Sequence, residues 1–151
     1  MLDDTDRRIL RHLQSDPTLA YGELGARCNL AAGAVARRIG KLEEQGILQG
    51  FGAVIDWAAL GYSVEVSLRF TLDKTQPRAF DEFLAAARLV PEVLEIQTFL
   101  GRVDVRLSVI ARDMAQYQHI YRTRILTLPH IADIEALMHV ARIKSDEALP
   151  I

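Results

Sequence analysis

Residues 62–72, YSVEVSLRFTL, are the stretch that most restricts what this chain can fold into. Apolar and polar side chains alternate along it without interruption. One side carries Tyr62, Val64, Val66, Leu68, Phe70 and Leu72, and the other carries Ser63, Glu65, Ser67, Arg69 and Thr71. A period of two predicts a half-buried β-strand, which must belong to a sheet with one covered face.

The segments after this strand supply the rest of the sheet and its cover. The predicted elements are, in order, a helix at 77–87, strands at 93–100 and 103–110, a helix at 113–126 and a strand at 131–143. Gly101 and Arg102 link the two middle strands, which predicts an antiparallel hairpin. The order β, α, β, β, α, β is that of the ferredoxin-like fold, with both helices on one face of a four-stranded antiparallel sheet. An opposite face that carries large apolar residues predicts protomers paired sheet to sheet.

Three short helices are predicted ahead of the sheet. They begin at about Asp3, Tyr21 and Ala32, with Asn29 at a left-handed turn and Gly46 as a stop. Residues 47–56 alternate and contain two glycines, which predicts a short strand or wing. The fold class is therefore α+β, an N-terminal winged helix-turn-helix joined to a C-terminal ferredoxin-like βαββαβ domain. The predicted boundaries are 1–49 for the first domain, 50–61 for wing strand and linker, and 62–151 for the second domain.

The third helix has a basic face. Val35, Ile39 and Leu42 form its buried stripe. Arg37, Arg38 and Lys41 fall off that stripe toward solvent, where three cations suit phosphates. A basic face on an amphipathic helix is more often only a solvated surface, but the helix-turn-helix context favours DNA binding.

Composition limits how DNA could be bound. The net charge is −2, with seven Lys/Arg against eight Asp/Glu in residues 1–60 and eleven against twelve in residues 61–151. Binding must therefore come from local clusters acting in several copies, and it should be salt-sensitive. The single Cys28, the charged start MLDDTDRR and the lack of a long apolar run predict a cytoplasmic protein without a membrane partner. No phosphate loop or thiol pair indicates a cofactor or metal.

Several motifs together resemble the Lrp/AsnC, or feast/famine, family of transcription factors. They are LDDTDRRILRHLQSD, ELGARCNL with VARRIGKLEEQGIL, the linker AVIDWAALG, PEVLE, Gly-x-x-Asp at 101–104, DMAQY and LPHI, in family order and spacing. The resemblance implies a homodimer through the C-terminal sheets that assembles into an octamer or similar ring. It also implies double-stranded promoter DNA that is bent or wrapped, and an amino-acid effector bound beside the Gly-x-x-Asp hairpin.

Mapped onto this sequence, the resemblance predicts two sets of site residues. The DNA-binding set is Ala32, Gly33, Ala34, Arg37, Arg38, Lys41 and Gln49. The effector-binding set is Leu100, Gly101, Arg102, Val103, Asp104 and Ala136. No catalytic residue and no metal ligand is predicted.

The DNA-binding set departs from the family pattern at the helix starts. Ala31 and Ala20 replace the usual caps of the third and second helices, and each missing cap costs about 1 kcal/mol. The reading helix starts AAGA, which can contact a thymine methyl but cannot form bidentate hydrogen bonds to bases. Weak direct readout is expected, with phosphate contacts and DNA deformability making more of the selection.

The effector set departs as well. Val103 replaces a frequent aromatic residue, Leu100 a threonine, and Ala136 a residue that often carries a hydroxyl. With fewer polar groups, the ligand is either apolar and bound differently, or there is none. Asp104 either pairs with an ammonium group or accepts hydrogen bonds from nearby amides.

Two other functions remain open. Sirohaem decarboxylases resemble this architecture and use histidine and arginine in the second domain; His119, His130 and His139 are the candidates, but none has a paired spacing. An effector-independent architectural DNA-binding protein is the other alternative. The regulator is favoured over both, and no enzyme activity is expected.

Overall fold

The computed structural model describes residues 1–145 and 148–151. Contacts divide the chain into two units, Met1–Val54 together with Lys144–Ile151, and Ile55–Ile143. This division differs from the predicted boundaries at 49, 61 and 151. The segment that follows the sheet belongs with the helical unit, which sequence order alone does not indicate.

Three helices form the first unit: α1 (Asp4–Ser15), α2 (Tyr21–Cys28) and α3 (Ala32–Glu44). Their common core consists of Ile9, Leu13, Leu19, Leu24, Cys28, Val35 and Ile39. Asp3 caps α1 by accepting a hydrogen bond from the Asp6 amide, while the Asp6 carboxylate accepts one from the Asp3 amide. This reciprocal arrangement satisfies two amides that the helix leaves unpaired, and it confirms the predicted start of α1.

The turn between α2 and α3 depends on two residues. Asn29 adopts the predicted left-handed conformation, with a φ of 58°. Gly25 lies so close to the turn that an added Cβ would be 2.4 Å from the Leu30 carbonyl oxygen. The Leu30 amide also donates a 2.8 Å hydrogen bond to the Gly25 carbonyl. The glycine that weakens α2 is therefore what lets the turn pack against it.

The expected strand at 47–56 is not formed. Gly46 has the predicted left-handed conformation (φ 69°), but residues 47–56 make no strand pairing within the described chain. Phe51, Val54 and Ile55 are instead 54%, 101% and 59% exposed. A β-strand needs backbone hydrogen bonds to a neighbouring strand, so the alternating pattern of residues 47–56 was not enough to form one.

A C-terminal segment, residues 148–151, packs on α1 within the first unit. The Arg11 Nε donates a 2.6 Å hydrogen bond to the Ile151 carbonyl oxygen. The Gln14 Nε2 donates to the Leu149 carbonyl oxygen at 3.2 Å, and the Leu149 amide donates to the Gln14 Oε1. In the contact-based division, residues 148–151 therefore group with α1 and not with the sheet.

The second unit has the predicted βαββαβ order. Its elements are β1 (Val64–Leu72), α4 (Ala79–Ala87), β2 (Val93–Thr98), β3 (Val105–Ala111), α5 (Met114–Ile120) and β4 (Ile131–Met138). The sheet order is β2-β3-β1-β4 with antiparallel pairs throughout. The ferredoxin-like fold class is confirmed.

Some predicted boundaries shift. The β2–β3 connection spans 99–104 rather than two residues, because Phe99 and Asp104 pair only through one amide-to-carbonyl bond of 2.9 Å. α5 ends at Ile120 and continues as a π-helical turn, Tyr121–Ile125. β4 ends at Met138, where its pairing with β1 stops.

The two faces of the sheet differ in character. Phe70, Leu68 and Leu107 pack with Phe83 and Tyr117 of the helices in the core. The opposite side, called the outer face below, carries Glu65, Ser67, Arg69 and Thr71 of β1, Arg106, Ser108 and Ile110 of β3, and Asp133, Glu135 and Leu137 of β4. Polar and apolar residues alternate along the strands, and most of the apolar side chains face the helices. The outer face is therefore mostly polar, and it is not the broad apolar surface on which the prediction of sheet-to-sheet pairing was based.

Candidate functional sites

α3 has the amphipathic form that the sequence predicted. Val35, Ile39 and Leu42 are at most 2% exposed, while Arg37 and Lys41 are exposed on the helix surface. Ala32 and Gly33 at the helix start are exposed, Ala34 is half-buried, and Gln49 is exposed beyond the helix. The expected lack of side-chain caps at Ala20 and Ala31 is confirmed. This surface offers methyl groups and the exposed cations of Arg37 and Lys41.

Arg38 has a different environment from the other two cations. Its Nη1 donates 2.7 Å hydrogen bonds to Asp3 Oδ2 and Asp6 Oδ1, and its side chain is 33% exposed. These hydrogen bonds raise the pKa of Arg38, and the bond from Arg38 is the main cause of a lowered pKa at Asp3. This geometry indicates that Arg38 links α3 to the start of α1, and it is less suited to contact a phosphate.

A groove runs between the start of α1 and α3, with a volume of about 450 Å³. Its lining residues are Met1, Asp3, Asp6, Leu30, Ala34, Arg37, Arg38 and Lys41. Four predicted DNA-binding residues are thus brought together in one groove, while Ala32, Gly33 and Gln49 lie outside its lining. Arg38 compensates one of the two carboxylate charges, and the three cations and two carboxylates of the lining leave a net charge of +1.

In the second unit, the 99–104 hairpin is fastened to β1. The Asp104 amide donates to the Phe70 carbonyl at 2.8 Å, and the Thr71 hydroxyl donates to the Arg102 carbonyl at 2.9 Å. Gly101 has a φ of 153° at the tip, and Leu100 is fully exposed. The hairpin tip is therefore held in place from its base while its apolar end stands in solvent.

Asp104 is buried and already has partners. Its side chain is 4% exposed; Oδ2 accepts a 2.8 Å hydrogen bond from the Leu72 amide, and Oδ1 lies 3.1 Å from the Lys74 Nζ. Of the two roles considered for this carboxylate, the structure supports the bond to a nearby amide, with a lysine of the same chain as its cation. Asp104 fixes the hairpin to β1.

A cavity of about 260 Å³ lies beside the hairpin. Its lining residues are Arg69, Phe99, Leu100, Gly101, Val103 and Arg106. Three predicted effector residues thus line it, whereas Arg102 and Asp104 do not. Ala136 pairs with Leu68 on β4, on the side of the sheet that faces the helices. We call this space the hairpin cavity.

The sequence reasoning missed the two arginines of the hairpin cavity. Arg69 and Arg106 are directly opposite each other in the β1–β3 register. Arg106 donates to the Ser67 hydroxyl at 2.6 Å and to the Gln97 Oε1 at 2.8 Å, and Glu95 lies 3.8 Å from it. The available clue was that Arg69 is the sole cation on the polar side of the alternating strand 62–72.

The histidines are scattered and structurally engaged. His130 Nε2 lies 2.7 Å from Glu82, and this hydrogen bond lowers the pKa of Glu82. His139 lies 3.6 Å from Glu65, and the His119 carbonyl accepts a hydrogen bond from the Thr123 hydroxyl. Within residues 1–145 and 148–151, no three His, Cys, Asp or Glu side chains converge to hold a metal ion.

An exposed basic helix in a helix-turn-helix and a separate βαββαβ unit with its own cavity together describe a DNA-binding regulator that carries a ligand-binding domain. The family comparisons agree: residues 2–49 match the winged helix-turn-helix DNA-binding family, and residues 65–149 match the Lrp/AsnC ligand binding domain. The protein belongs to the Lrp/AsnC family of transcriptional regulators.

Individual relatives cover almost the whole chain. The proline dehydrogenase transcriptional activator of Rhodobacter capsulatus is 34% identical over 87% of this chain and 86% of its own length. The leucine-responsive regulatory protein of Salmonella typhimurium is 31% identical over 99% of this chain and 92% of its own. A transcriptional regulator from Neisseria meningitidis, solved as a complex with L-Met, superposes with a TM-score of 0.90 at 27% identity, covering 99% of this chain and 97% of that one.

Among the described residues, no helix combines the length and apolar character needed to cross a membrane.

Proposed function

We propose that this protein controls transcription by placing α3 against promoter DNA, with Arg37 and Lys41 contacting phosphates. The observation that carries the proposal is that both cations are exposed, one helical turn apart, above a fully buried stripe. Helices with this arrangement enter the major groove while their cations neutralise backbone charge. Arg38 acts as a positioning residue that holds α3 to α1.

Sequence selection by α3 is expected to be modest. The start of the helix, Ala32 to Ala34, offers methyl groups and a bare backbone, which can contact thymine methyls but cannot form the bidentate pairs that discriminate bases strongly. We infer that bending of DNA along an oligomer supplies further selection, because deformable sequences cost less to bend.

The active form is proposed to be a homodimer through the C-terminal sheets, assembled further into an octamer or similar ring. Support comes from the outer face, where the carboxylates of Asp133 and Glu135 on β4 can pair with cations of a second copy across a two-fold axis. Apolar side chains that stand in solvent, such as Phe51, Val54 and Leu137, are further candidates for burial by a second copy. Several linked α3 helices would add weak contacts into useful avidity.

The hairpin cavity is the proposed effector site. It is lined by the predicted Leu100, Gly101 and Val103, and it lies in the part of the chain that matches the Lrp/AsnC ligand binding domain. The effector is proposed to be an amino acid or a related small molecule, and the protein to act in the cytoplasm without catalysing a reaction.

The test uses the full chain and DNA fragments selected from a genomic library at low salt, read beside particle mass in solution. Arg37→Gln and Lys41→Gln should each weaken binding uniformly across sequences and reduce the slope of log Kobs against log salt by about 1. Arg8→Gln, the same charge change on an exposed position of α1, is the matched control. Equal losses in all three variants, or no enrichment of any fragment by the unmodified protein, would contradict the proposal.

A further inference from the structure

We propose that the hairpin cavity recognises the carboxylate of an apolar ligand through Arg69 and has no acceptor for an α-ammonium group, so that a 2-oxo acid binds at least as well as the amino acid with the same carbon skeleton. The inference rests on the proposed effector site and names its ligand class.

The hairpin cavity is lined by two arginines whose charges are compensated to different extents. Arg69 and Arg106 are register partners on neighbouring strands, and like charges in that position destabilise a sheet. Arg106 is compensated by Ser67, Gln97 and Glu95. The Arg69 side chain makes no hydrogen bond or ion pair within the described ranges 1–145 and 148–151, and this includes Glu135, its register partner on β4. The cavity therefore contains one uncompensated guanidinium, which an anion would neutralise.

The surroundings of the Arg69 guanidinium in the cavity are mostly apolar. Phe99, Leu100 and Val103 give the cavity apolar walls, and Gly101 contributes no side chain. Phe99 is 44% exposed and Leu100 fully exposed, so a ligand could bury area on both. A guanidinium binds a planar carboxylate through two parallel hydrogen bonds. A ligand of amino-acid size with one carboxylate and an apolar side chain fits this cavity. Its carboxylate would bind the guanidinium, and its side chain would pack on the apolar walls.

The carboxylate that would be the obvious partner of an ammonium group, that of Asp104, is already engaged. Asp104, the carboxylate of the hairpin, does not line the cavity, and its two oxygens are engaged by the Leu72 amide and the Lys74 Nζ. Lys74 thus supplies to Asp104 the cation that an amino-acid ligand would otherwise bring. An ammonium group placed in the cavity would instead lie beside the uncompensated guanidinium of Arg69, which repels it. Replacing the ammonium by an oxo group removes that repulsion.

The experiment is calorimetric titration of the full-length protein with matched probes. L-leucine and 4-methyl-2-oxopentanoate share one carbon skeleton, L-methionine and 4-methylthio-2-oxobutanoate share another, and 3-methylbutylamine has the ammonium without the carboxylate. Each oxo acid should bind as tightly as its amino acid or tighter, and the amine should not bind. A preference of tenfold or more for the amino acids, or binding of the amine, would overturn the proposal.

Variants then assign the site. Arg69→Gln should weaken binding of the carboxylate probes by tenfold or more, and Arg69→Lys, which keeps the charge but loses the two-bond geometry, should fall between. Arg122→Gln, which removes an exposed cation of the second unit outside the cavity lining, is the control and should bind normally. Unchanged binding in Arg69→Gln, or loss of the oligomer in place of ligand binding, would show that Arg69 serves another partner and would overturn the proposal.

DNA binding by the same preparations separates this inference from the proposed function. Arg69→Gln should still bind selected DNA without ligand, because Arg69 belongs to the second unit. A protein that binds DNA but none of the probes would overturn the ligand inference alone. A protein that fails to enrich DNA at low salt would contradict the regulator proposal itself.

Discussion

Replacing Gly25 by alanine tests the packing of the helix-turn-helix most directly. Alanine is favoured over glycine within a helix by about 1 kcal/mol, so propensity alone predicts a more stable protein. The new Cβ, however, would lie 2.4 Å from the Leu30 carbonyl oxygen and 3.4 Å from the Val35 Cγ2. The oxygen belongs to the backbone of the turn, so it cannot move away without shifting the start of α3.

The two effects have different sizes. Overpacking a well-filled site costs about 1–3 kcal/mol, and a backbone neighbour places this case at the upper end. After the gain in helix propensity, Gly25→Ala should lower the free energy of unfolding by about 2 kcal/mol. Gly22→Ala in the same helix meets nothing within 4 Å and should raise it by up to about 1 kcal/mol. The two variants should therefore differ by about 3 kcal/mol.

Urea unfolding of the full chain, followed by circular dichroism, measures these differences. Hydrogen exchange of residues 21–44 assigns them to the first unit, because two units need not unfold together. Gly25→Ala should expose the amides of α2 and weaken DNA binding, while Gly22→Ala should do neither. If both variants were equally stable, the close approach of α2 to the turn would not constrain the residue at 25, and the reasoning would be refuted.

Two further predictions concern α1. The hydrogen bond from Arg38 lowers the pKa of Asp3 below its ordinary value of 3.8. The ionised carboxylate therefore stabilises the folded state at pH values above 3.8, and this contribution is lost as the pH falls through the lower folded-state pKa. Asp3→Asn should therefore flatten the acid side of a melting-temperature profile, at pH values below about 5, and an acid side as steep as that of the unmodified protein would contradict this. Gln14→Ala should remove both hydrogen bonds to Leu149 and speed amide exchange at that residue, and unaltered exchange would contradict the docking of 148–151 on α1.

The features that sequence reasoning predicted well are those decided by local chemistry. Asp3 can cap α1, Asn29 can adopt a left-handed turn, and Gly46 can follow the end of α3 wherever the rest of the chain lies. The βαββαβ order also follows from local periodicity, since each element carries its own apolar pattern. These predictions needed no knowledge of long-range contacts.

The errors came from contacts between distant residues. Nothing in residues 47–56 shows that their alternating pattern lacks a partner strand, and nothing in 148–151 points to Arg11 and Gln14. Gly25 illustrates the same point, because its cost to the helix is visible in the sequence, but its close approach to Leu30 is not.

The candidate sites were predictable in part for the same reason. Arg37 and Lys41 were found because helical spacing alone puts them on the exposed face. Arg38 shares that spacing, yet its partners Asp3 and Asp6 come from another helix. Likewise, Asp104 was identified by its motif, but its bond to the Leu72 amide and the pairing of Arg69 with Arg106 depend on strand register.

The segment at 148–151 has a practical meaning for work on the isolated DNA-binding part. The first unit is discontinuous: its main body ends at Val54, and a second piece of it returns from beyond the sheet. A polypeptide cut after residue 54 would lack the hydrogen-bond partners of Arg11 and Gln14. These two side chains of α1 would then bond to water and would no longer hold residues 148–151. An excised fragment is faithful to the native unit only if the C-terminal piece is joined to it or added in trans.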